Sequence, residues 1–94
     1  MTKATTTKMA KVEARFAPCL PYRTHNDNYE VVMDCGKHFL ILWHDNKMED
    51  VKEWLATDVC KEALAFENTG RKRLFPVYIM NQEGKVVEVV PYNL

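Results

Sequence analysis

The chain has 94 residues, of which 47% are hydrophobic, and its thirteen basic side chains balance thirteen acidic ones. This length supports a single domain, because two separate cores would each be too small to fold unaided. The longest apolar run, residues 39–43, is far too short to cross a bilayer, so no membrane segment or membrane partner is expected. The neutral balance also removes overall basicity as a reason to bind nucleic acid.

The cysteines point to a reducing compartment. Cys19, Cys35 and Cys60 are odd in number and widely spaced, whereas small secreted domains usually carry an even and dense set. The first sixteen residues also lack the apolar core of a signal peptide. We therefore expect three free thiols and a cytoplasmic location.

The N-terminal segment carries little periodic pattern at first. Residues 1–9 are rich in Thr and Lys and are predicted to form a flexible tail, which leaves residues 10–94 as one α+β domain. Val12, Ala14 and Phe16 then alternate with charged residues, which predicts a short half-buried strand. Two prolines end this strand, and the polar residues 23–28 are predicted to form a loop.

The next segment has the pattern of a β-hairpin. Two strand-like runs, residues 29–33 and 38–44, flank a turn at Cys35-Gly36, where glycine supplies a positive φ at little cost. A two-residue turn pairs Val32 with Phe39. The second run is apolar on both faces, so we expect it to be a central strand of the sheet.

A helix is predicted from about residue 47 to residue 66. Asn46 is a favourable N-cap, and apolar residues recur behind it at spacings of three and four. Thr57 and Asp58 are the weak point of this helix, because both residues cap better than they propagate.

A second hairpin follows, with strands at residues 75–80 and 85–90 and Gly84 in the left-handed position of its turn. The predicted order is β-β-β-α-β-β. This order describes an α+β fold with a mostly antiparallel sheet of four or five strands and one main helix packed on one face.

Part of the chain resembles a known fold family. The run FLILWHD before a helix, followed by FPVYIMNQEGKVVEVV with a proline opening a hairpin, looks like pieces of the thioredoxin-like fold. The position of the redox Cys-x-x-Cys motif reads Asn46-Lys47-Met48-Glu49 here, and a second helix is missing. The resemblance therefore implies a degenerate thioredoxin-like protein without redox chemistry, which is one alternative for the function.

The sequence offers few groups for catalysis. It has no serine, no glycine-rich phosphate loop and no helical His-Glu-x-x-His motif. Asp45 beside His44 is a common surface pair. Cys35 and His38 have the spacing of zinc ligands, but a structural zinc site needs four ligands. We therefore expect a non-enzymatic protein with no metal or cofactor.

The sheet face away from the helix is the main indication of function. One helix covers one face only, which leaves four apolar side chains on the other face: Val32, Phe39, Ile41 and Trp43. Such a patch is typical of association, so these residues are predicted to bind a protein partner or a second copy. The competing hypothesis is that Phe16, Pro18, Leu20 and the C-terminal residues 91–94 fold across it.

Our leading hypothesis is a small cytoplasmic binding protein that acts by stoichiometric contact, as accessory or inhibitory proteins of phages (viral proteins) and of mobile elements do. The alternative is a nucleic-acid-binding module. Arg71, Lys72 and Arg73 form a basic cluster that would contact phosphates, while Phe75 and Tyr78 stack on a base. The competing explanation for this cluster is favourable charge at the negative end of the helix.

Overall fold

A computed structural model describes residues 3–94, with side chains from Lys8 onward. The elements in chain order are α1 (Lys3–Phe16), a 3-10 helix (Ala17–Tyr22), β1 (Tyr29–Asp34), β2 (Phe39–Asp45), α2 (Met48–Leu55), α3 (Asp58–Glu67), β3 (Val77–Asn81) and β4 (Val86–Val89). The four strands pair antiparallel in the order β2-β1-β3-β4. The predicted α+β class is therefore confirmed.

The first element differs from the prediction, because residues 12–16 belong to helix α1 and not to a strand. Val12 and Phe16 are four residues apart and both are buried, whereas Ala14 is exposed. Burial thus follows the helical period and not the alternation. Helix α1 also includes residues 3–9 of the predicted tail, and residues 1 and 2 lie outside the described part. The flexibility of residues 1–9 stays a prediction.

The strand at residues 38–44 was predicted to be central, but β2 lies at an edge of the sheet. The two central strands are β1 and β3, which are almost completely buried. The reason for the error is that β2 is covered on its two faces by different helices. Apolar side chains on both faces require cover above and below, and they do not require a neighbouring strand on both sides.

The turn of the first hairpin lies one residue later than predicted. Cys35 faces His38, and its amide donates to the carbonyl oxygen of His38 at 3.0 Å, so Gly36 and Lys37 form the turn and Val32 pairs with Ile41 and not with Phe39. Gly36 has the predicted positive φ, at 82°.

A β-bulge at Leu42 then changes the direction of the next side chain. Trp43 pairs with Val31, on the face that packs against α2, and its ring stacks on Trp54 with centroids 5.1 Å apart. The prediction that Trp43 points away from the helix is therefore wrong, because alternation breaks at a bulge.

The predicted helix over residues 47–66 is two helices, α2 and α3, that meet at the expected weak point. Ala56 ends α2, and the Thr57 side chain caps α3 by accepting a hydrogen bond from the amide of Cys60 at 3.2 Å. Both helices pack on one face of the sheet, where Val51 and Leu64 meet Val31 and others in the larger core cluster.

Helix α1 and the 3-10 helix cover the opposite face. Val12 and Phe16 pack on Val32, Tyr78 and Met80, and Leu20 and Phe39 complete this second cluster. The hypothesis of internal cover by Phe16 and Leu20 is thus the one that the structure shows.

The C-terminal segment packs on the α2–α3 face instead. The Tyr92 hydroxyl accepts a hydrogen bond from Asn68 and donates one to the carbonyl of Phe75. Within the described residues, no helix combines the length and the hydropathy that a bilayer crossing requires.

Candidate functional site

The outer edge of β2 is the most open part of the sheet. Within residues 8–94, the hydrogen bonds of the β2 backbone run to β1, and none outside the sheet reaches its outer edge. The run Phe39–Trp43 contains no lysine or proline, the residues that usually protect such an edge. The opposite edge, β4, has only four residues and is followed by Pro91. An added strand would therefore pair with β2.

A cleft of about 560 Å³ lies beside β2 on its α1 face. Its apolar wall includes Phe16, Tyr22, Phe39 and Ile41, and we call it the aromatic cleft. Phe16 and Phe39 meet edge to face with ring centroids 5.2 Å apart, so the wall is held in one geometry. A concave apolar site of this size suits one or two side chains of a partner.

Helix α1 is fixed over this cleft by an ion pair. The Arg15 guanidinium donates two hydrogen bonds to the carboxylate of Asp34, at 2.9 and 3.1 Å, and lies 5.0 Å from the Phe39 ring centroid. Burial raises the pKa of Asp34, but the hydrogen bonds from Arg15 and from the amide of Gly36 outweigh burial. The resulting pKa of Asp34 is below its ordinary value, so the carboxylate stays charged and holds α1 in place.

A buried carboxylate forms the polar end of the aromatic cleft. Glu30 is 1% exposed, and it accepts hydrogen bonds from the Arg23 guanidinium and, at 2.9 Å, from Nε2 of His25. Arg23 also donates to the carbonyl oxygens of Asn81 and Gln82. Both carboxylate oxygens of Glu30 accept hydrogen bonds, so this acidic side chain is tolerated in the interior. The same bonds hold the loop of residues 23–28 against the sheet.

Two histidines stack at the same end of the sheet. The rings of His25 and His44 are 3.9 Å apart and nearly parallel, and Nδ1 of His44 lies 2.6 Å from the carboxylate of Asp27. Nδ1 of His25 accepts the amide hydrogen of Asp27 at 3.1 Å. This nitrogen therefore carries no proton, and the ring proton of His25 is on Nε2, which donates to Glu30.

A second recess, of about 260 Å³, lies on the α2 face of β2. Its walls are the stacked rings of Trp43 and Trp54, and three carboxylates surround them: Asp45, Asp50 and Glu53. We call it the acidic recess. Aromatic rings beside carboxylates and without a basic side chain in the lining favour a cation.

The four residues predicted to bind a partner do not share one surface. Val32 is fully buried under α1, and Phe39 is half-buried in the aromatic cleft. Ile41 and Trp43 are each 40% exposed, on opposite faces of β2. The exposed members of the set therefore flank the open edge, and their role in binding stays a prediction.

The basic cluster at residues 71–73 is exposed, but the predicted stacking platform is absent from the described residues. The Arg71 guanidinium lies 3.6 Å from the centroid of the Phe75 ring and covers it. Tyr78 is buried on the opposite face of the sheet. The two aromatic side chains therefore do not form a surface on which bases could stack, which removes one part of the nucleic-acid hypothesis.

The cysteines are all unpaired, as expected. Burial raises the pKa of the Cys35 and Cys60 thiols, which makes them poor nucleophiles. Cys35 and His38 flank the hairpin turn, and within the described residues the three-residue group with metal-ligand geometry is a different one: His25, Asp27 and His44. The His25-x-Asp27 spacing was the sequence signal for it, but the approach of His44 depends on the sheet.

No family model matches the chain, and comparisons with curated proteins and with solved structures likewise find no match. The thioredoxin-like resemblance of residues 38–90 therefore gains no support from these comparisons. The geometry beside β2 carries the functional argument.

Proposed function

We propose that this chain is a protein-binding domain that accepts an extended segment of a partner as a fifth strand beside β2. The observation that carries the proposal is the open edge of β2 with a recess on each face. In strand addition, main-chain hydrogen bonds supply affinity and pockets for alternate side chains supply specificity. The β2 edge offers a main chain open to such hydrogen bonds and a recess on each face for side chains.

The two recesses define the pattern of the bound segment. Successive side chains of a strand point to opposite faces, so alternate side chains of the partner would enter the aromatic cleft and the acidic recess. Ile41 lines the first site only, whereas Trp43 borders both sites and stacks on Trp54 in the second. An apolar residue suits the aromatic cleft. A lysine or arginine suits the acidic recess, where carboxylates and aromatic rings both attract a cation.

A basic partner fits this edge better than a second copy of the chain. In a symmetric dimer, the β2 strand of the second copy would occupy the edge, and Phe39–Asp45 contains no lysine or arginine for the acidic recess. Such a dimer would also bring two acidic recesses close together. The partner is therefore an extended segment in which apolar residues alternate with lysine or arginine.

A domain of this kind acts by stoichiometric contact and not by turnover, as accessory and inhibitory proteins do. Because binding proteins of this kind work where their target is, a cytoplasmic location implies a cytoplasmic target. That location stays a prediction from the free thiols.

The proposal is tested by selecting partners from a random peptide library displayed on phage. Selected peptides are expected to alternate apolar residues with lysine or arginine, and their affinity is measured by calorimetry. Ile41→Asp places a charge beside the bound strand and is expected to weaken binding at least about tenfold, because burial of such a side chain contributes roughly 1.5–3 kcal/mol. Val87→Asp is the matched control, since Val87 is similarly exposed on the opposite edge strand.

The acidic recess is tested separately with the double variant Asp50→Asn/Glu53→Gln. This variant is expected to bind the selected peptide more weakly and with less dependence on salt concentration, because it lacks two of the carboxylate charges. Failure to select any peptide, or equal losses in Ile41→Asp and Val87→Asp, would contradict the proposal. A wild-type dimer in sedimentation that Ile41→Asp dissociates would assign the edge to a second copy instead.

A further inference from the structure

The stacked histidines lie at the polar end of the aromatic cleft and suggest a second ligand there, of a different chemical class from a peptide. We propose that His25, Asp27 and His44 form a binding site for a divalent transition metal ion of the zinc type. One ligand atom from each of the three residues lies within 4.8 Å of the other two. Two imidazoles and a carboxylate are ligands that zinc prefers, and solvent would supply the fourth position.

The hydrogen bonds of His25 prepare it for coordination. Its Nε2–H donates to the buried carboxylate of Glu30, and its Nδ1 carries a lone pair beside Asp27. Metal-binding histidines usually donate their other ring nitrogen to a carboxylate, which fixes the tautomer and makes the ring more basic. Glu30 has this role here, and the His25 side chain is only 9% exposed, so its ring is held in one orientation.

The loop that carries two of the ligands is also fixed. Asn28 bonds to Asn46 through its amide and its side chain, at 3.2 and 3.1 Å. Gln82 donates to the carbonyl oxygen of Asn26 at 2.8 Å. Asp27 lies between these two anchors. The site therefore has a rigid supporting shell on one side, which metal sites require.

Metal binding requires a movement of His44. A metal ion lies close to the plane of each ring that binds it, and the planes of two stacked rings do not meet at a common point between them, so the rings cannot share one ion in this arrangement. A tetrahedral zinc site with bonds of about 2.0–2.2 Å places its ligand atoms roughly 3.3–3.6 Å apart. In the structure the three ligand atoms lie within 4.8 Å of one another, so they must move closer together. The side chains of His44 and Asp27 are 44% and 29% exposed, which leaves room for them to turn toward His25 when bonds to the ion replace their mutual hydrogen bond. Binding would also replace the hydrogen bond from the Asp27 amide to Nδ1 of His25.

The experiment titrates the folded, tag-free chain with Zn²⁺ by calorimetry and with Co²⁺ by visible absorption. One equivalent is expected to bind at micromolar protein concentration, with the intense Co²⁺ band of tetrahedral coordination. His44→Ala and Asp27→Asn are each expected to weaken binding at least about tenfold, because each removes a ligand. His38→Ala is the matched control, since His38 is an exposed histidine in the turn of the hairpin, at the opposite end of β2 from His44.

A thermal melt provides a second measurement on the same proteins. Zn²⁺ is expected to raise the melting temperature of the wild type and of His38→Ala, and to raise that of His44→Ala much less, because an ion that binds only the folded state stabilises it in proportion to its affinity. Absence of binding at one equivalent would overturn the proposal. Binding that His38→Ala removes, or that His44→Ala leaves intact, would also overturn it. None of these results depends on whether a peptide binds at β2.

Discussion

Replacement of Phe16 by alanine tests whether helix α1 is an integral part of the fold. Phe16 is 1% exposed and meets the Phe39 ring edge to face, and the Arg23 guanidinium lies 5.8 Å from its ring centroid. It belongs to the cluster that buries Val32 of β1 together with Tyr78 and Met80 of β3. The substitution would remove the largest fully buried side chain of the described residues and leave a cavity in its place.

The expected loss of stability is large for a domain of this size. Truncation of a buried phenylalanine to alanine costs about 3–5 kcal/mol, through lost burial and the cavity that remains. Domains have a total free energy of unfolding of about 5–15 kcal/mol. At about 4 °C or more per kcal/mol, the melting temperature should fall by at least about 12 °C.

Urea unfolding and thermal melts followed by circular dichroism measure this loss. Phe66→Ala is the matched control, because Phe66 is 76% exposed on α3 and its truncation should change stability by less than about 0.5 kcal/mol. Similar stabilities for the two variants would show that α1 does not cover the sheet. Val32 and Phe39 would then be available as the open apolar face that the sequence suggested.

Three further predictions concern single groups. Trp43→Ala should leave the chain folded and cost about 0.5–1.5 kcal/mol for the lost stack on Trp54. The added cost of lost burial should be smaller than that of a fully buried tryptophan, because Trp43 is 40% exposed. Complete unfolding of this variant would refute the placement of Trp43. Stability should decline as the pH falls below about 4, because the pKa of Asp34 is lowered in the folded chain and the stabilisation present above its unfolded pKa of about 3.9 is lost as the pH falls through the folded value; a melt series of Asp34→Asn that shows the same acid slope would contradict this cause. In a thiol titration of the native protein, Cys60 should react far more slowly than Cys19, because Cys60 is 1% exposed and burial raises its pKa; equal rates would exclude this burial.

The candidate site could be predicted from the sequence only in part. Phe39, Ile41 and Trp43 were identified as unusual because a strand apolar on both faces is uncommon in a sheet with one helix. Their division between two recesses was not predictable, since it depends on the bulge at Leu42. The stacked pair of His25 and His44 was also missed, because nineteen positions separate them and only the pairing of β1 with β2 brings them together.

The sequence by itself determined those parts of the fold that depend on neighbouring residues. Gly36 and Gly84 mark the two hairpins because their turns need a positive φ that glycine adopts at little cost. The apolar stripe of residues 48–66 determined the helical layer, and Thr57 determined where it breaks. These signals are local, since each depends on the conformation of a few consecutive residues.

Where one local pattern of residues is compatible with both a strand and a helix, or with two positions in the sheet, the tertiary structure decided between them. Val12 and Phe16 are compatible with alternation and with a helical spacing of four, and the helix is formed because it covers Val32 and Met80 with both side chains at once. The position of β2 at the edge was decided by β1, which pairs with β3 on its other side. Such choices depend on the burial of surfaces that are distant along the chain, so no short window of sequence contains them.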